Sequence, residues 1–508
     1  MTALGIGRET FRLRELRETW CAPVRLTFDD SARERVLASQ ARIDAVLASG
    51  EQVYGVNTGF GQLARVRISD DELAHLQHNL VRSHAVGVGA LLADDIVRLV
   101  MVMKAKALAQ GYSGVRPRVV DAICDLVNND VYPAIPEKGS VGASGDLAPL
   151  AHMARVLLGS GIARIDGVEM PAEEALGRAG LKPLTLAPKE GLALVNGTQA
   201  STAVALAAVF RTERVLAAAT TAGAMSADAI NGSDTPFDER IQAVRGHTGQ
   251  IAVASLLRQL MDGSDIRASH IDCDRVQDPY SIRCQPQVVG ACLDVLRHVS
   301  DVLQTEANAV TDNPLVFADA VLSGGNFHAE PVAFVADYLA LCIAELGALS
   351  ERRIALLIDS HLSGLPAFLV RESGLNSGFM LAQITAAALA SENKSLAHPA
   401  SVDSIPTSAN QEDHVSMAMF AANRLHTMLD NVMTIVAIEL LAAAQGIEFH
   451  RPQRSSEVLE RAIARIREVS PPYEEDRSLK DDVDAVTALI DAGQFSERAR
   501  SILPSYAE

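Results

Sequence analysis

Residues Gln199 to Ile230 read QASTAVALAAVFRTERVLAAATTAGAMSADAI and form one of several long segments rich in Ala, Leu and Ile. Much of this segment is apolar on more than one helical face, which is typical of helices buried inside a large bundle or between subunits. Three further segments share this character, namely Pro331–Ile358, Asn376–Lys394 and His426–Ala444. The sequence therefore predicts long helices that lie in a core.

Shorter segments also show a helical spacing of apolar residues. Between residues 96 and 107 the apolar positions fall on one helical face, and they are Ile96, Leu99, Val100, Met103 and Ala107. Asp94 is a candidate cap for the start of this helix, and Gly111 is a candidate end. Because alternating β-branched runs with Asn-Gly turns are scarce, we predict a mainly α fold built around long core helices.

The charge balance limits the classes of partner. The 508 residues include 45 Lys and Arg against 63 Asp and Glu, so the formal net charge is −18. Nucleic-acid phosphates select basic surfaces, and we therefore expect no nucleic-acid partner. With 48% hydrophobic and 21% charged residues, the chain has ample material for a core and no composition typical of disorder.

The cysteines and the uncharged stretches bear on the compartment. Six thiols without a CxxC pair do not indicate a disulfide framework, and they are Cys21, Cys124, Cys273, Cys284, Cys292 and Cys342. Gly191–Phe210 and Ser373–Ser391 lack charges over about a membrane's width, but polar residues and Gly interrupt both. No charged-then-apolar signal segment opens the sequence. These features predict a cytoplasmic protein with no membrane partner.

Several common enzyme signatures are absent from the sequence. It contains neither the GxxxxGK[ST] phosphate loop nor the HExxH zinc motif. Gly87-Val88-Gly89 lacks the third glycine of the dinucleotide fingerprint, and Ser144 does not lie in a GxSxG nucleophile elbow. These absences remove the support for four familiar enzyme classes, and we predict no metal site.

The tripeptide Ala143-Ser144-Gly145 lies in a Gly-rich segment that runs from Gly139 to Ala151. Such a tripeptide can condense with itself, because the amide nitrogen of Gly145 can attack the carbonyl carbon of Ala143. Loss of water then converts Ser144 into an exocyclic methylidene, and glycine is needed because a Cβ would obstruct this close approach. The product, 4-methylidene-imidazol-5-one (MIO), is an electrophile that no ordinary side chain provides.

The tripeptide also has a purely structural interpretation. A helix start with Asp146 as its cap and Pro149 in the first turn fits the same residues. A second copy, Ala48-Ser49-Gly50, fits a helix end with Gly50 in the left-handed conformation. On the tripeptide alone the structural interpretation is favoured, and the wider sequence reverses that preference.

Five further polar segments accompany the tripeptide in the order found in a known family. They are Tyr54–Gly61, Asn196–Gln199, Gln277–Gln287, Gly324–His328 and Ser408–His414. On these motifs, over about Tyr54 to Met417, the sequence resembles the aromatic amino acid ammonia-lyases, in particular the branch that acts on histidine. The resemblance implies an N-terminal region (residues 1–110) with the catalytic Tyr loop, packed on a long central helical bundle (residues 111–508) that carries the Ala-Ser-Gly group and a peripheral C-terminal layer.

The resemblance also implies an activity and an assembly. Ammonia is eliminated across Cα–Cβ of an amino acid, with MIO formed from Ala143, Ser144 and Gly145 as the electrophile and no external cofactor. The chain is expected to form a homotetramer whose active sites draw residues from three subunits. Such an assembly would bury helices that are too apolar for the surface of a monomer.

Individual residues acquire roles from the same resemblance. Tyr54 matches the catalytic tyrosine that takes the β-proton, and because a phenol titrates near pH 10 its anion needs nearby donors or dipoles. Tyr280 matches a second tyrosine that serves the amino group, and Arg283 offers a bidentate fork to the carboxylate. Four more residues match substrate-binding positions, namely Asn196, Gln277, Asn313 and Phe327. Without the match, packing tyrosines and turn asparagines would be the ordinary interpretations.

Side-chain selectivity depends on Ser83-His84 and Glu412. At the first position the family's tyrosine lyases carry His-Leu and its phenylalanine lyases Phe-Leu, and both carry Gln in place of Glu412. An imidazole needs a polar partner, whereas a phenyl ring gains nothing from a buried charge. His84 alone would more often be a structural histidine, but with Glu412 it predicts L-histidine as the substrate and trans-urocanate and ammonia as products, the first step of histidine degradation.

Two alternatives of different kinds remain open at this point. A 2,3-aminomutase or a tyrosine lyase could share the scaffold, although Ser83-His84 and Glu412 argue against both. A helical binding protein could keep the fold without the chemistry, although Tyr54 and Arg283 beside an intact tripeptide argue against it. An assay for β-amino acid products would distinguish the mutase.

Overall fold

The computed structural model describes residues 2–7, 10–59, 61, 65–269 and 276–506. The protein is 61% helical, which confirms the mainly α prediction. The α-helices of the first half of the chain are α1 (Leu13–Cys21), α2 (Asp30–Ser49), α3 (Leu73–His84), α4 (Asp94–Ala109), α5 (Pro117–Asn128), α6 (Leu147–Leu157), α7 (Ala172–Arg178), α8 (Glu190–Val195), α9 (Gln199–Ala229) and α10 (Glu239–Arg245). Those of the second half are α11 (Thr248–Met261), α12 (Asp265–Ala268), α13 (Tyr280–Arg283), α14 (Gln285–Ala307), α15 (Glu330–Ile358), α16 (Ser360–Ser363), α17 (Met380–Leu396), α18 (Ala418–Glu448), α19 (Glu457–Val469) and α20 (Lys480–Asp491).

The strands are short and pair in four small sheets within the described residues. They are β1 (Thr2–Gly5), β2 (Val24–Thr27), β3 (Val88–Leu91), β4 (Tyr132–Pro133), β5 (Pro136–Lys138), β6 (Ile162–Ile165), β7 (Val168–Pro171), β8 (Leu315–Val316) and β9 (Val321–Leu322). β1 and β2 pair in parallel, whereas β3–β5, β4–β6–β7 and β8–β9 are antiparallel. These sheets are too small to form the core.

The long Ala- and Leu-rich segments form the four predicted helices α9, α15, α17 and α18. Helix α18 extends beyond the predicted segment at both ends. The second Ala-Ser-Gly copy ends α2, where Gly50 adopts φ +69° and its amide donates to the carbonyl of Leu47. Gly50 therefore has the helix-ending role predicted for it.

Helix α4 differs from its prediction in two respects. Its N-cap is Ala93, and Asp94 is the first helical residue, so the predicted cap is wrong by one position. Every side chain from Ile96 to Ala109 is buried, whereas the apolar spacing predicted one buried face. Gly111 follows the helix with φ +84°, as the predicted end requires.

Two compact units can be distinguished along the chain. The first comprises Met1–Ala207, Asp301–Asp337 and Pro399–Asn423, and the second comprises Ala208–Ser300, Tyr338–His398 and Arg424–Glu508. All the strands named above belong to the first unit, while α9, α14, α15 and α18 have residues in both. The predicted boundary after residue 110 falls inside the first unit, and it remains a prediction.

Helices α15 and α18 are long and apolar enough to cross a membrane by length and composition alone. In their most apolar windows, 67% and 78% of the residues are buried within the protein. Such burial is expected of core helices.

The core of the second unit contains one buried charge pair. Arg353 and Glu439 are both almost fully buried and form an ion pair, and the hydroxyls of Ser226 and Ser350 also donate to the Glu439 carboxylate. These bonds satisfy a carboxylate that would otherwise be costly to bury. Of the six cysteines, the five in the described part of the chain are free thiols, and Cys273 lies outside the described residues.

Candidate active site

A cavity of about 880 Å³ lies in the first unit. Its wall includes eight of the residues that the sequence analysis singles out, namely Tyr54, His84, Ala143, Ser144, Asn196, Asn313, Phe327 and Glu412. They come from separate loops and helix ends, which a rigid helical scaffold holds around one space. The fold therefore brings together the predicted electrophile, the predicted base and the predicted selectivity pair.

The tripeptide occupies a tight backbone contact before α6. Gly145 adopts φ +75° and pairs with Gly197 in a short bridge, and the amide of Asp146 donates to the Gly197 carbonyl over 2.7 Å. A Cβ on Gly145 would lie 2.3 Å from that carbonyl oxygen. Only glycine fits this position without moving the backbone, which agrees with the requirement for glycine in ring closure.

The start of the same loop is bound to the segment before α18. The amide of Met417 donates to the carbonyl of Val141 over 2.8 Å, and the hydroxyl of Ser416 donates to the carbonyl of Gly142 over 2.9 Å. Gly142 has φ +64°, and a Cβ there would lie 2.2 Å from the Ser416 hydroxyl. The loop is therefore held on both sides of Ser144.

Asp146 stands at the N-cap position of α6, but its side chain makes no capping bond. The carboxylate instead accepts hydrogen bonds from the amide and hydroxyl of Ser201 and from the hydroxyl of Ser140. Burial raises the pKa of Asp146, and these donors oppose the shift. The structural interpretation is thus correct for the helix start and wrong for the cap, because Asp146 ties the loop to α9.

Asn196 connects the tripeptide to a buried lysine. Its side-chain amide donates to the Ser144 carbonyl over 2.8 Å, and its backbone carbonyl accepts from Lys104 over 2.6 Å. Burial lowers the pKa of Lys104 to about 7, against the opposing charge of Asp312. Asp312 itself pairs with Lys189 over 2.8 Å. Asn196, which donates to the Ser144 carbonyl, is thus held in place through its backbone by the buried Lys104.

Glu412 contacts the tripeptide directly. The Ser144 hydroxyl donates to Oε1 of Glu412 over 2.6 Å, and the Thr407 hydroxyl donates to Oε2 over 2.7 Å. The carboxylate is therefore oriented toward the reactive loop. Charge-assisted bonds of this length hold a side chain firmly.

Tyr54 is partly buried on the cavity wall. The amide of Gly61 donates to its hydroxyl over 3.5 Å, a long hydrogen bond. Burial raises the pKa of Tyr54, the Gly61 amide lowers it, and the charge of Glu412 raises it further. Since a base needs its anion stabilised, the described residues around Tyr54 do not favour the phenolate.

His84 is the last residue of α3 and faces the same cavity. Burial lowers the pKa of His84, while the Leu80 carbonyl and the charge of Glu412 raise it. The Ser83 hydroxyl lies 3.0 Å from Nδ1 of His84 and donates to the Leu80 carbonyl. That hydroxyl has one proton. If the proton goes to Leu80, Nδ1–H donates to Ser83 and Nε2 is an acceptor, and if it goes to Nδ1, Nε2 carries the N–H.

The last two wall residues lie on the segment between α14 and α15. Asn313 is buried, and its side-chain oxygen accepts from the amide of Gly324 over 2.7 Å. Its amide nitrogen lies 3.2 Å from the Ser323 hydroxyl. Phe327 adds an apolar ring to the cavity wall. These bonds fix Asn313 in position to contact a ligand.

Three predicted site residues lie elsewhere, in the second unit. Gln277 and Arg283 line a separate cavity of about 760 Å³, and Tyr280 is 71% exposed. The Arg283 guanidinium lies over the Tyr280 ring, 4.7 Å from its centre. Its Nε is buried and makes no hydrogen bond among the described residues. Within one chain, the first-unit cavity therefore has no arginine from this motif.

Sequence reasoning missed several residues that support the site. Lys104 was one of them, although a lysine inside a largely apolar helix is a signal, because a buried charge needs a partner. Thr407, Ser416 and Ser201 gave no such signal. Their contacts depend on segments that lie far apart in the sequence.

Comparison with known proteins defines the class. The family model for aromatic amino acid lyases matches residues 11–468. The chain belongs to this family and is a carbon–nitrogen lyase. This confirms the resemblance inferred from the motifs.

Individual relatives show which members of the family the chain is similar to. Histidine ammonia-lyase of Desulfotalea psychrophila is 58% identical over 503 residues, which cover 98% of each chain. The crystal structure of histidine ammonia-lyase from Trypanosoma cruzi superimposes with a TM-score of 0.91 at 42% identity, covering 100% of this chain and 97% of the other. Tyrosine aminomutase from Streptomyces globisporus gives a TM-score of 0.92 at 34% identity, covering 98% and 99%.

Proposed function

We propose that the first-unit cavity eliminates ammonia from L-histidine and releases trans-urocanate. One observation carries the proposal, namely that the Ala-Ser-Gly loop shares a wall with Tyr54, His84 and Glu412. The similarity to histidine ammonia-lyases over nearly the whole chain supports the choice of substrate. We further propose a cytoplasmic enzyme with no nucleic-acid or membrane partner.

The direct test is ultraviolet absorbance that grows when the purified protein meets L-histidine, because urocanate is conjugated and histidine is not. Product analysis completes the test. Release of ammonia with urocanate supports the proposal, whereas accumulation of a β-amino acid would identify an aminomutase. No product from L-histidine, with turnover of L-tyrosine, would reject it.

The residues around the tripeptide fit the MIO group. Gly145 has a positive φ, and its contact with Gly197 leaves no room for a Cβ, so the position keeps the glycine that ring closure needs. The Ser144 carbonyl would become the carbonyl group of the imidazolone ring, and the Asn196 amide already donates to its oxygen. MIO would supply an electrophile that draws electrons from the substrate, and Asn196 would stabilise negative charge on that oxygen.

Tyr54 is the proposed base for the β-proton. Its hydroxyl lies on the same cavity wall as Ser144, so a bound substrate could contact both. Because burial raises the pKa of Tyr54, the phenolate is a small fraction at neutral pH. That fraction grows as the pH rises. We therefore propose that the base form is favoured by donors other than the described residues of its own chain.

Replacing Tyr54 with Phe should lower kcat by about 10²- to 10⁴-fold while KM changes little, because the ring remains and the proton acceptor is lost. The alkaline rise of kcat that follows the phenolate should also disappear. Steady-state kinetics from neutral to alkaline pH measure both effects. Exchange of the β-hydrogen with solvent deuterium at the wild-type rate in this variant would exclude Tyr54 as the base.

His84 and Glu412 are the proposed partners of the substrate imidazole. His84 presents Nε2, and Glu412 presents a carboxylate held by Thr407. Glu412 can accept from the N–H of the substrate imidazole, and Nε2 of His84 can pair with the other ring nitrogen in the complementary tautomer, whereas neither has a use for a phenyl ring. Asn313 and Phe327 would then contact the substrate from the opposite segment.

We propose that the complete site forms between subunits of a homotetramer. A substrate carboxylate needs a cation, and Arg283 has a buried nitrogen without a partner in the described residues of its own chain. Tyr280 is largely exposed beside it. In the assembly, Gln277, Tyr280 and Arg283 of one chain would complete the first-unit cavity of another.

Mixing two inactive variants should test this sharing. Ser144→Ala removes a first-unit group and Arg283→Ala a second-unit group, so random mixed tetramers should contain about a quarter intact sites. Activity of the co-expressed pair should clearly exceed that of either variant alone. Ser144→Ala with Glu412→Ala is the matched control, because both changes affect the same cavity wall, and it should stay inactive. Equal activities in both pairs would reject shared sites.

A further inference from the structure

Three side chains outside the proposed roles form a compact cluster beside the first-unit cavity, whose wall includes both histidines. Nδ1 of His328 lies 3.9 Å from Oε2 of Glu330, and Nε2 of His414 lies 4.0 Å from the same oxygen. One ligand atom from each residue lies within 4.8 Å of the other two. The two imidazole planes differ by 8°, with ring centres 5.7 Å apart.

The central oxygen of this cluster has no donor. Oε2 of Glu330 is buried and accepts no hydrogen bond from the described residues. A buried carboxylate oxygen left unpaired costs free energy, and both imidazole nitrogens are too distant to donate to it. A cation placed between the three atoms would satisfy the oxygen and both nitrogens at once.

The outer nitrogens of the two rings already have partners. Nε2 of His328 lies 3.2 Å from the His414 carbonyl. A carbonyl only accepts, so Nε2 carries the proton and Nδ1 of the neutral ring offers a lone pair toward Glu330. Nδ1 of His414 lies 3.3 Å from the Ser404 hydroxyl, which can accept a hydrogen bond from Nδ1–H and leave the lone pair of Nε2 free. Metal-binding histidines are oriented by outer partners of this kind.

The spacing suits a transition metal. For a triangle with sides of 3.9, 4.0 and at most 4.8 Å, the point equidistant from the three atoms lies about 2.5 Å or less from each. Zn–N bonds measure about 2.0–2.1 Å, so inward shifts of a few tenths of an ångström close the site. We propose that His328, Glu330 and His414 bind one divalent transition-metal ion of the Zn²⁺ type, with water as the fourth ligand.

The bound ion would join two segments that line the cavity. His328 follows Phe327, and His414 lies two residues after Glu412. The prediction of no metal site from the sequence is replaced by this proposal, because the ligands match no contiguous zinc motif. The site does not depend on turnover, so it can be tested in the absence of substrate.

Binding is measured on the untagged full-length protein after treatment with a chelator. Calorimetric titration with Zn²⁺ alone should give one ion per chain, and Co²⁺ should develop visible absorption of a low-coordinate site. Glu330→Gln keeps the size of the side chain and should weaken Zn²⁺ binding about 100-fold or more, as should His414→Ala. Circular dichroism and the Tm of the metal-free variants establish that they fold.

Two further variants show whether the ion binds where we propose. His361 is an exposed histidine on α16, and His361→Ala should bind Zn²⁺ as the wild type does. His84 and Glu412 form the other His-carboxylate pair of the cavity. Because we do not place the ion there, His84→Ala should also retain Zn²⁺ binding. Wild-type affinity no greater than that of Glu330→Gln, or loss of binding in His84→Ala, would overturn the proposal.

Discussion

A Ser144→Ala variant is expected to fold and to lose L-histidine turnover by about 10³-fold or more. Removing a group that takes part covalently eliminates a whole reaction route, and such losses are among the largest in enzymes. The wild-type mass should fall short of the sequence mass by two water molecules per chain, and the variant should carry its full mass. Intact-protein mass spectrometry and the urocanate absorbance assay measure the two effects.

The second Ala-Ser-Gly copy provides a matched control for this experiment. Ser49 lies at the end of α2, and its hydroxyl donates to the Val46 carbonyl. Ser49→Ala should keep both the mass deficit and the activity, because its tripeptide only ends a helix. A nearly wild-type rate for Ser144→Ala would contradict the covalent mechanism.

The second large effect concerns substrate choice. The wild-type enzyme should prefer L-histidine over L-phenylalanine and L-tyrosine on the order of 10⁴-fold, because an apolar ring leaves the polar groups of His84 and Glu412 unpaired. Ser83→His with His84→Leu, or Ser83→Phe with His84→Leu, should reduce histidine turnover first. Adding Glu412→Gln should then favour the apolar ring, since it removes a charge in the cavity wall that an apolar ring cannot pair with. The measurement is kcat/KM for the three amino acids.

A control on the same helix separates selectivity from general damage to α3. His75 is exposed on α3 and does not line the cavity, so His75→Leu should keep the preference for L-histidine. A His84→Leu variant with undiminished histidine specificity would contradict the assignment of the imidazole site. The lyase chemistry would still stand in that case.

The fold class could be predicted because long apolar helices give the sequence long runs and regular spacings of apolar residues. The burial of the charged residues of α4 could not be predicted, since the spacing of apolar residues indicates only side chains that need no polar partner. Arg98 is buried because it donates to the carbonyls of Thr19 and Trp20, and Lys104 because it donates to the carbonyl of Asn196. Those carbonyls come from elements that the spacing within one helix does not reveal.

The site could be predicted residue by residue only through the family motifs. They identified Tyr54, His84 and Glu412, which the fold brings to one wall. They also placed Arg283 in the same site, whereas within one chain it lines a cavity of the second unit. A linear sequence does not state which cavity of the folded chain a residue lines, so the division of the motif residues between two cavities came from the structure.

The contacts around the reactive loop have a consequence for the order of events during biosynthesis. Val141 and Gly142 are bound by Ser416 and Met417, and Gly145 is bound by Gly197. A ribosome that has released only the first half of the chain has not yet made two of these three partners. We therefore expect the serine to stay chemically ordinary in nascent and misfolded chains, and the electrophile to arise only after the distant segments have docked. A molecule that carries the mass deficit would then be one that had completed its fold.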